Sequence, residues 1–119
     1  MVWQVLAHPD FDAEISVLPV SQQEEIYSTV AMLKAFGPAL GRPHADTLKG
    51  SQLANLKELR CSVGGHPWRI AYAFDPVRRA VLLVGGSKAG VKSELFYKRL
   101  IRTAEQRWRD HLRWNRNDL

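Results

Sequence analysis

One cysteine, Cys61, is all the thiol chemistry this chain contains. It can close no internal disulfide, which excludes a disulfide-stapled secreted scaffold. No apolar run approaches the roughly 20 residues a bilayer-crossing helix needs, and the apolar residues 80–86 fall far short of it. The start of the chain lacks the basic residues followed by an apolar stretch that mark a secretory signal, so the expected setting is the cytoplasm, without membrane contact. His8, His44, His66 and His111 are scattered, and none forms a metal-ligand spacing with a carboxylate motif; no metal and no other cofactor is expected. Internal repeats and low-complexity segments are also missing. What is present, at 119 residues with 45% hydrophobic and 24% charged content, fits one globular domain over residues 1–119.

Acidic residues are scarce in the second half. Residues 1–59 carry a net charge of −3, whereas residues 60–119 carry +8. A basic half points to a polyanionic partner, and nucleic acid is the commonest. The plainer account is that Lys and Arg solvate one face of a long helix.

Residues 2–7, VWQVLA, read as a short strand ended by His8-Pro9. Asp10 is placed to cap a helix whose Phe11, Ile15 and Leu18 recur at helical spacing, with Pro19 as its stop. Ser21 and Glu24 have capping-box spacing ahead of Ile26, Val30 and Leu33, and Gly37-Pro38 ends that second helix. The Gly- and Pro-rich residues 37–56 read as a connection with one irregular turn. Three strands follow at residues 56–63, 68–74 and 80–85, separated by Gly64-Gly65-His66-Pro67 and Asp75-Pro76, which predicts two consecutive antiparallel hairpins. The last helix starts near Ser93, with Tyr97, Ile101, Ala104, Trp108 and Leu112 as its apolar stripe and Lys98, Arg102, Arg109 and Arg113 on another side; the terminal NRNDL is expected to fray. The expected fold class is α+β: a small, mostly antiparallel sheet, two N-terminal helices and a long C-terminal helix, with the helices on one side.

The strand pleat sharpens this reading. In residues 68–74, Trp68, Ile70, Tyr72 and Phe74 share one face, and Arg69, Ala71 and Ala73 share the other. The preceding strand sets Leu59, Cys61 and Val63 against Glu58, Arg60 and Ser62. If both bulky faces pack on the helices, Arg60 joins Arg69 on an open, shallow face, and paired guanidiniums suit a phosphate. Glu58 is available to neutralise one arginine, but Glu58 and Asp75 together cannot balance Lys57, Arg60, Arg69 and Lys88.

Residues 48–90, LKGSQLANLKELRCSVGGHPWRIAYAFDPVRRAVLLVGGSKAG, resemble the RelE/HigB superfamily of toxins from bacterial toxin–antitoxin pairs, most closely its phage-derived HigB-like branch. The features that carry the resemblance are LKG ahead of NLKELR, the WRIAYAF strand ending in DP, and an apolar strand breaking into GGSKAG. It implies a RelE-like fold and, for ribosome-dependent members, an endoribonuclease (mRNA interferase) that cuts translated mRNA. It also implies a cognate helix-turn-helix, HigA-like antitoxin as partner. By position, Arg60, Arg69 and Lys88 match the family's basic active-site residues. The family often has an aromatic-rich stretch after the lysine; here residues 91–95 intervene, and Tyr97 is the candidate equivalent. Lys49, Lys57, Lys92 and Lys98 are the accompanying candidates for holding RNA.

RNA can be cut without a metal, since its 2′-hydroxyl attacks the adjacent phosphorus when a base, an acid and charge-stabilising cations are in place. Arg60 and Arg69 suit the last task, Lys88 or Lys57 can serve as base or acid, and Tyr97 can do the same or stack on a base. Two other readings stay open: a regulatory nucleic-acid binder without turnover, and a topoisomerase-inhibiting toxin of the ParE type. The basic set Arg60, Arg69 and Lys88 argues against the latter.

Overall fold

The computed structural model describes residues 2–117. The elements in chain order are β1 (Val5–Ala7), α1 (Pro9–Ser16), α2 (Val20–Phe36), a single 3-10 turn (Gly37–Ala39), β2 (Ala45–Thr47), β3 (Lys57–Val63), β4 (His66–Phe74), β5 (Ala80–Ser87) and α3 (Ser93–Asn117). The strands form one sheet in the order β1-β5-β4-β3-β2. Strands β2 to β5 pair antiparallel and β1 runs parallel to β5, so the α+β class with a mostly antiparallel sheet holds.

Both expected hairpins form. Gly64 and Gly65, at φ 59° and 78°, make the two-residue turn between Val63 and His66, a geometry that needs positive φ at both positions. His66 and Pro67 therefore belong to β4 rather than to the turn. Gly37 closes α2 at φ 54°, and a Cβ there would collide with the Trp3 indole.

Three local expectations are corrected. Strand β2 lies in the stretch read as a connection; at three residues it is too short to show alternation, and pairing with β3 through Asp46 and Glu58 is what holds it. His8, not Asp10, caps α1, its Nδ1 accepting from the Asp10 amide at 3.1 Å. The Ser21–Glu24 capping box does not form, because Pro19 occupies the cap; Gln23 Nε2 instead reaches back to the carbonyls of Ser16 and Leu18, at 3.2 and 2.9 Å.

The larger correction concerns the layers. Helices α1 and α2 cover the bulky sheet face, where Phe11, Ile15, Ile26 and Leu33 pack on Leu59, Ile70 and Tyr72. The other face is not open: α3 lies on it, burying Phe96, Leu100, Ile101 and Trp108 against Ala71, Ala73, Val81 and Leu83. The two alanines, both 0% exposed, are what admit the large side chains of α3, since a close-packed interior matches small against large. The sheet is thus sandwiched between helices, and the shallow recess expected beside Arg69 is filled along most of its length.

Polar contacts pin α3 in place. Arg107 forms a two-pronged pair with Glu14 of α1 at 2.8 and 2.7 Å and also donates to the Leu83 carbonyl. Asp75, at the end of β4, accepts from the Val77 and Arg79 amides and the Arg79 guanidinium, and its Oδ2 lies 3.0 Å from His111 Nε2. Asn115, in the segment expected to fray, is helical and accepts from Arg79. Asp118 and Leu119 lie outside the described residues.

Two predictions follow from this packing. The Tyr72 hydroxyl is buried with no hydrogen-bond partner among the described residues, and burial pushes its phenol up to about 12. Tyr72→Phe removes an unsatisfied group at little volume cost and should leave stability unchanged or raise it by up to about 1 kcal/mol in urea unfolding; a loss of that size would contradict the packing. For Asp75, burial works upward on the carboxyl, but the Arg79 amide, His111 and the Arg79 guanidinium outweigh it and hold it below its usual value. A depressed native value stabilises the fold above the unfolded-state carboxyl range and is lost as pH falls through the native value. Unfolding free energy should therefore fall below about pH 4, and Asp75→Asn should flatten that fall.

Candidate functional site

The pleat that sends Leu59 and Ile70 toward α2 sends Glu58, Arg60, Arg69 and Ala71 to the α3 face. In register, Arg60 stands directly opposite Arg69, and Glu58 opposite Ala71 on one side and Asp46 on the other. Two like charges facing each other across a ladder are unfavourable unless something negative lies between them. Glu58 supplies it. Its Oε2 accepts from Arg60 Nη2 at 3.2 Å, and its Oε1 lies 3.5 Å from Arg69 Nε.

The same carboxylate takes a third partner from α3. Tyr97, in the first turns of that helix, donates its hydroxyl to Glu58 Oε1 at 2.8 Å. Lys88, just past β5, sets its ammonium 5.1 Å from the centre of the Tyr97 ring, within cation–π range. Asp46 closes the outer side, sharing Oδ2 with Arg42 at 2.9 Å and Arg60 at 3.4 Å. The Glu58 side chain is 5% exposed, that of Arg69 17% and that of Arg60 35%. The carboxylate is therefore sealed, while the arginines reach toward solvent.

The electrostatics follow the burial. Desolvation and the neighbouring Glu58 push the Tyr97 phenol up, opposed by Arg69, so it stays protonated at neutral pH. Asp46 is held below its usual value by the Thr47 amide and by Arg42. Within the cluster, Arg42, Arg60, Arg69 and Lys88 face Asp46 and Glu58, an excess of positive charge beside an exposed sheet end.

Arg60, Arg69, Lys88 and Tyr97 are thus brought together. Lys57 is not: it pairs with Tyr72 in register and lies on the α1/α2 face, away from the arginines. Lys49 is exposed in the turn after β2, Lys92 precedes α3, and Lys98 is exposed beside Tyr97 on α3; none joins the cluster around Glu58. Tyr97 both joins the cluster around Glu58 and is partly buried against the α3 core, and Trp108 is core as expected. Cys61 is half-buried against the α2-side cluster, with its thiol pushed up by burial.

The organising role of Glu58 and the presence of Asp46 are what sequence reading missed. Glu58 was legible as an Arg60 neighbour two positions away on one strand face, but its bond to Tyr97 depends on where α3 docks. Asp46 carried no signal, because β2 itself was invisible. Among the described residues, no group of three His, Cys, Asp or Glu side chains is placed to hold a metal ion, and no helix is long and apolar enough to cross a membrane.

Residues 13–109 match the family described as Phage derived protein Gp49-like (DUF891). The chain is 41% identical over 90 residues to HigB2, a candidate toxin of Mycobacterium tuberculosis, covering 75% of this chain and 44% of HigB2. It is 37% identical over 103 residues to HigB3, a second candidate toxin of the same organism, covering 87% of this chain and 88% of HigB3. The alignment thus spans less than half of HigB2 and nearly all of HigB3. The chain belongs to the Gp49-like, phage-derived family, and the resemblance to the HigB-like branch read from residues 48–90 is borne out.

Proposed function

We propose that this protein is the toxin of a type II toxin–antitoxin pair and acts as a metal-independent endoribonuclease on translated mRNA. The observation that carries this reading is the pair Arg60 and Arg69, facing each other across β3 and β4, with Tyr97 and Lys88 beside them. The names of HigB2 and HigB3 support the toxin assignment. A helix-turn-helix, HigA-like antitoxin is the proposed partner, and mRNA on the ribosome the proposed substrate.

The chemistry is an in-line transfer within the RNA. The 2′-oxygen forms a bond to phosphorus as the bond to the 5′-oxygen breaks; a base takes the 2′-proton and an acid protonates the leaving 5′-oxygen. Arg60 and Arg69 bind the two non-bridging oxygens and neutralise the charge that builds on the phosphorane. Tyr97, protonated at neutral pH, is in the form that can serve as acid. Lys88, whose amine in its neutral form accepts a proton, is the candidate base.

A second reading is favoured by one observation, that Arg60 is already engaged by both Asp46 and Glu58. On that reading the site binds RNA without turning it over, as a regulator would.

Induced expression followed by mapping of mRNA ends separates these readings. Cuts inside translated codons, lost when translation is blocked, are expected. Intact mRNA with RNA bound to the protein would select the regulator, and intact mRNA with DNA damage a ParE-like toxin. Arg69→Lys keeps a charge beside Glu58 but loses the guanidinium fork, and it should lower cleavage by about 10²-fold in the folded protein. Full toxicity in that variant would sink the assignment.

A further inference from the structure

The residues proposed to touch RNA do not hold themselves in place. Arg60 comes from β3, Arg69 from β4 and Tyr97 from α3, and one side chain contacts all three: Glu58. Its own position is fixed, because Glu58 lies on β3 between Leu56 and Arg60, with its backbone paired to both β2 and β4. At 5% side-chain exposure it is out of reach of an RNA strand, so it does not act on the substrate directly.

The donor atoms show what this arrangement leaves over. Arg60 commits Nη2 to Glu58 and Asp46, and Arg69 commits Nη1 to the Trp68 carbonyl. Neither carboxylate is hydrogen-bonded to Arg60 Nη1, and Arg69 Nη2 is engaged by neither Glu58 nor Trp68, although the Arg69 guanidinium also faces the Tyr97 hydroxyl. The Nε atoms of both arginines are buried with no hydrogen-bond partner among the described residues. A guanidinium carries five donors, and desolvated donors without a partner cost free energy until an acceptor arrives. Each arginine is thus anchored at one edge; its buried Nε is out of reach of RNA, and its uncommitted terminal nitrogens are the donors left for a phosphate.

We propose that Glu58 is the positioning residue of this site: its carboxylate fixes Arg60, Arg69 and Tyr97 relative to one another, so that the uncommitted guanidinium donors converge on one phosphate. This rests on the reading of the site as an RNA-cleaving centre. Because Glu58 competes with the phosphate for the same guanidiniums, its negative charge weakens RNA binding while its geometry speeds the reaction. A rate effect and a binding effect of opposite sign distinguish this role from mere support of the fold.

Glu58→Gln retains shape and one acceptor oxygen but removes the charge. In folded protein, the single-turnover cleavage of ribosome-bound mRNA should fall by about 10²-fold, the scale of a small misplacement of reacting groups. Binding of a non-cleavable 2′-O-methyl RNA oligonucleotide should hold or tighten. The Tyr97 phenol, followed by the NMR signal of its Cζ, should titrate at lower pH than in the wild type, because Glu58 is one cause of its upward displacement. Wild-type cleavage in folded Glu58→Gln, or parallel losses of rate and binding, would overturn the proposal. If wild-type protein cuts no mRNA, the nuclease reading fails; the oligonucleotide and Tyr97 measurements then decide the positioning claim alone, and an unmoved Tyr97 titration overturns it. Should Glu58→Gln not fold, Glu58→Asp, which keeps the charge and withdraws it by one methylene, takes its place, with rate loss and undiminished binding again expected.

Discussion

A carboxylate on a buried sheet face must be paired, and the pairing of Glu58 organises this molecule. Taking an ion out of water costs several kcal/mol unless its partners are well placed. Glu58 meets that demand with two arginines and a tyrosine hydroxyl drawn from three elements. The same contacts that make its burial tolerable also bring Arg60, Arg69 and Tyr97 into one cluster. Without a negative group between them, two arginines opposed across β3 and β4 would repel.

The fold makes room for this arrangement by an asymmetry in β4. Its bulky face, Trp68, Ile70 and Tyr72, packs on α1 and α2, and its alanine face lets α3 lie close to the sheet. Helix α3 covers Ala71 and Ala73 fully but reaches the arginines only through its first turns, at Tyr97. The site therefore sits where the covering helix begins, half in and half out of solvent. Further along, Arg107 with Glu14 and Asp75 with His111 hold α3 down, so the position of Tyr97 is set by contacts remote from it.

Much of this was legible in the sequence, for definite reasons. Alternation over Trp68, Ile70, Tyr72 and Phe74 gives the pleat, and the pleat places Arg60 beside Arg69 once the hairpin is recognised at Gly64-Gly65. What could not be read is what lies above the alanine face. Small residues are compatible with an open recess and with a closely packed helix alike, and only docking decides between them. The three residues of β2 carry too little pattern to be read, which hid Asp46. The basic residues divide the same way: Arg60 and Arg69 were placed by strand geometry and Lys88 by the family resemblance, whereas Lys57 falls on the opposite face by the same alternation that placed the arginines. Membership of the Gp49-like family rests on the match over residues 13–109, and the proposed chemistry on the few side chains around Glu58.

The central claim is that the paired guanidiniums over Glu58 form the phosphate site, and the arginine Nε resonances read it most directly. Titrating 15N-labelled protein with a 2′-O-methyl RNA oligonucleotide should shift the Nε–H signals of Arg60 and Arg69 first and farthest, at the lowest RNA concentration. Shifts confined to the arginines on the exposed side of α3, such as Arg99, Arg102 and Arg109, with Arg60 and Arg69 unmoved, would contradict the account.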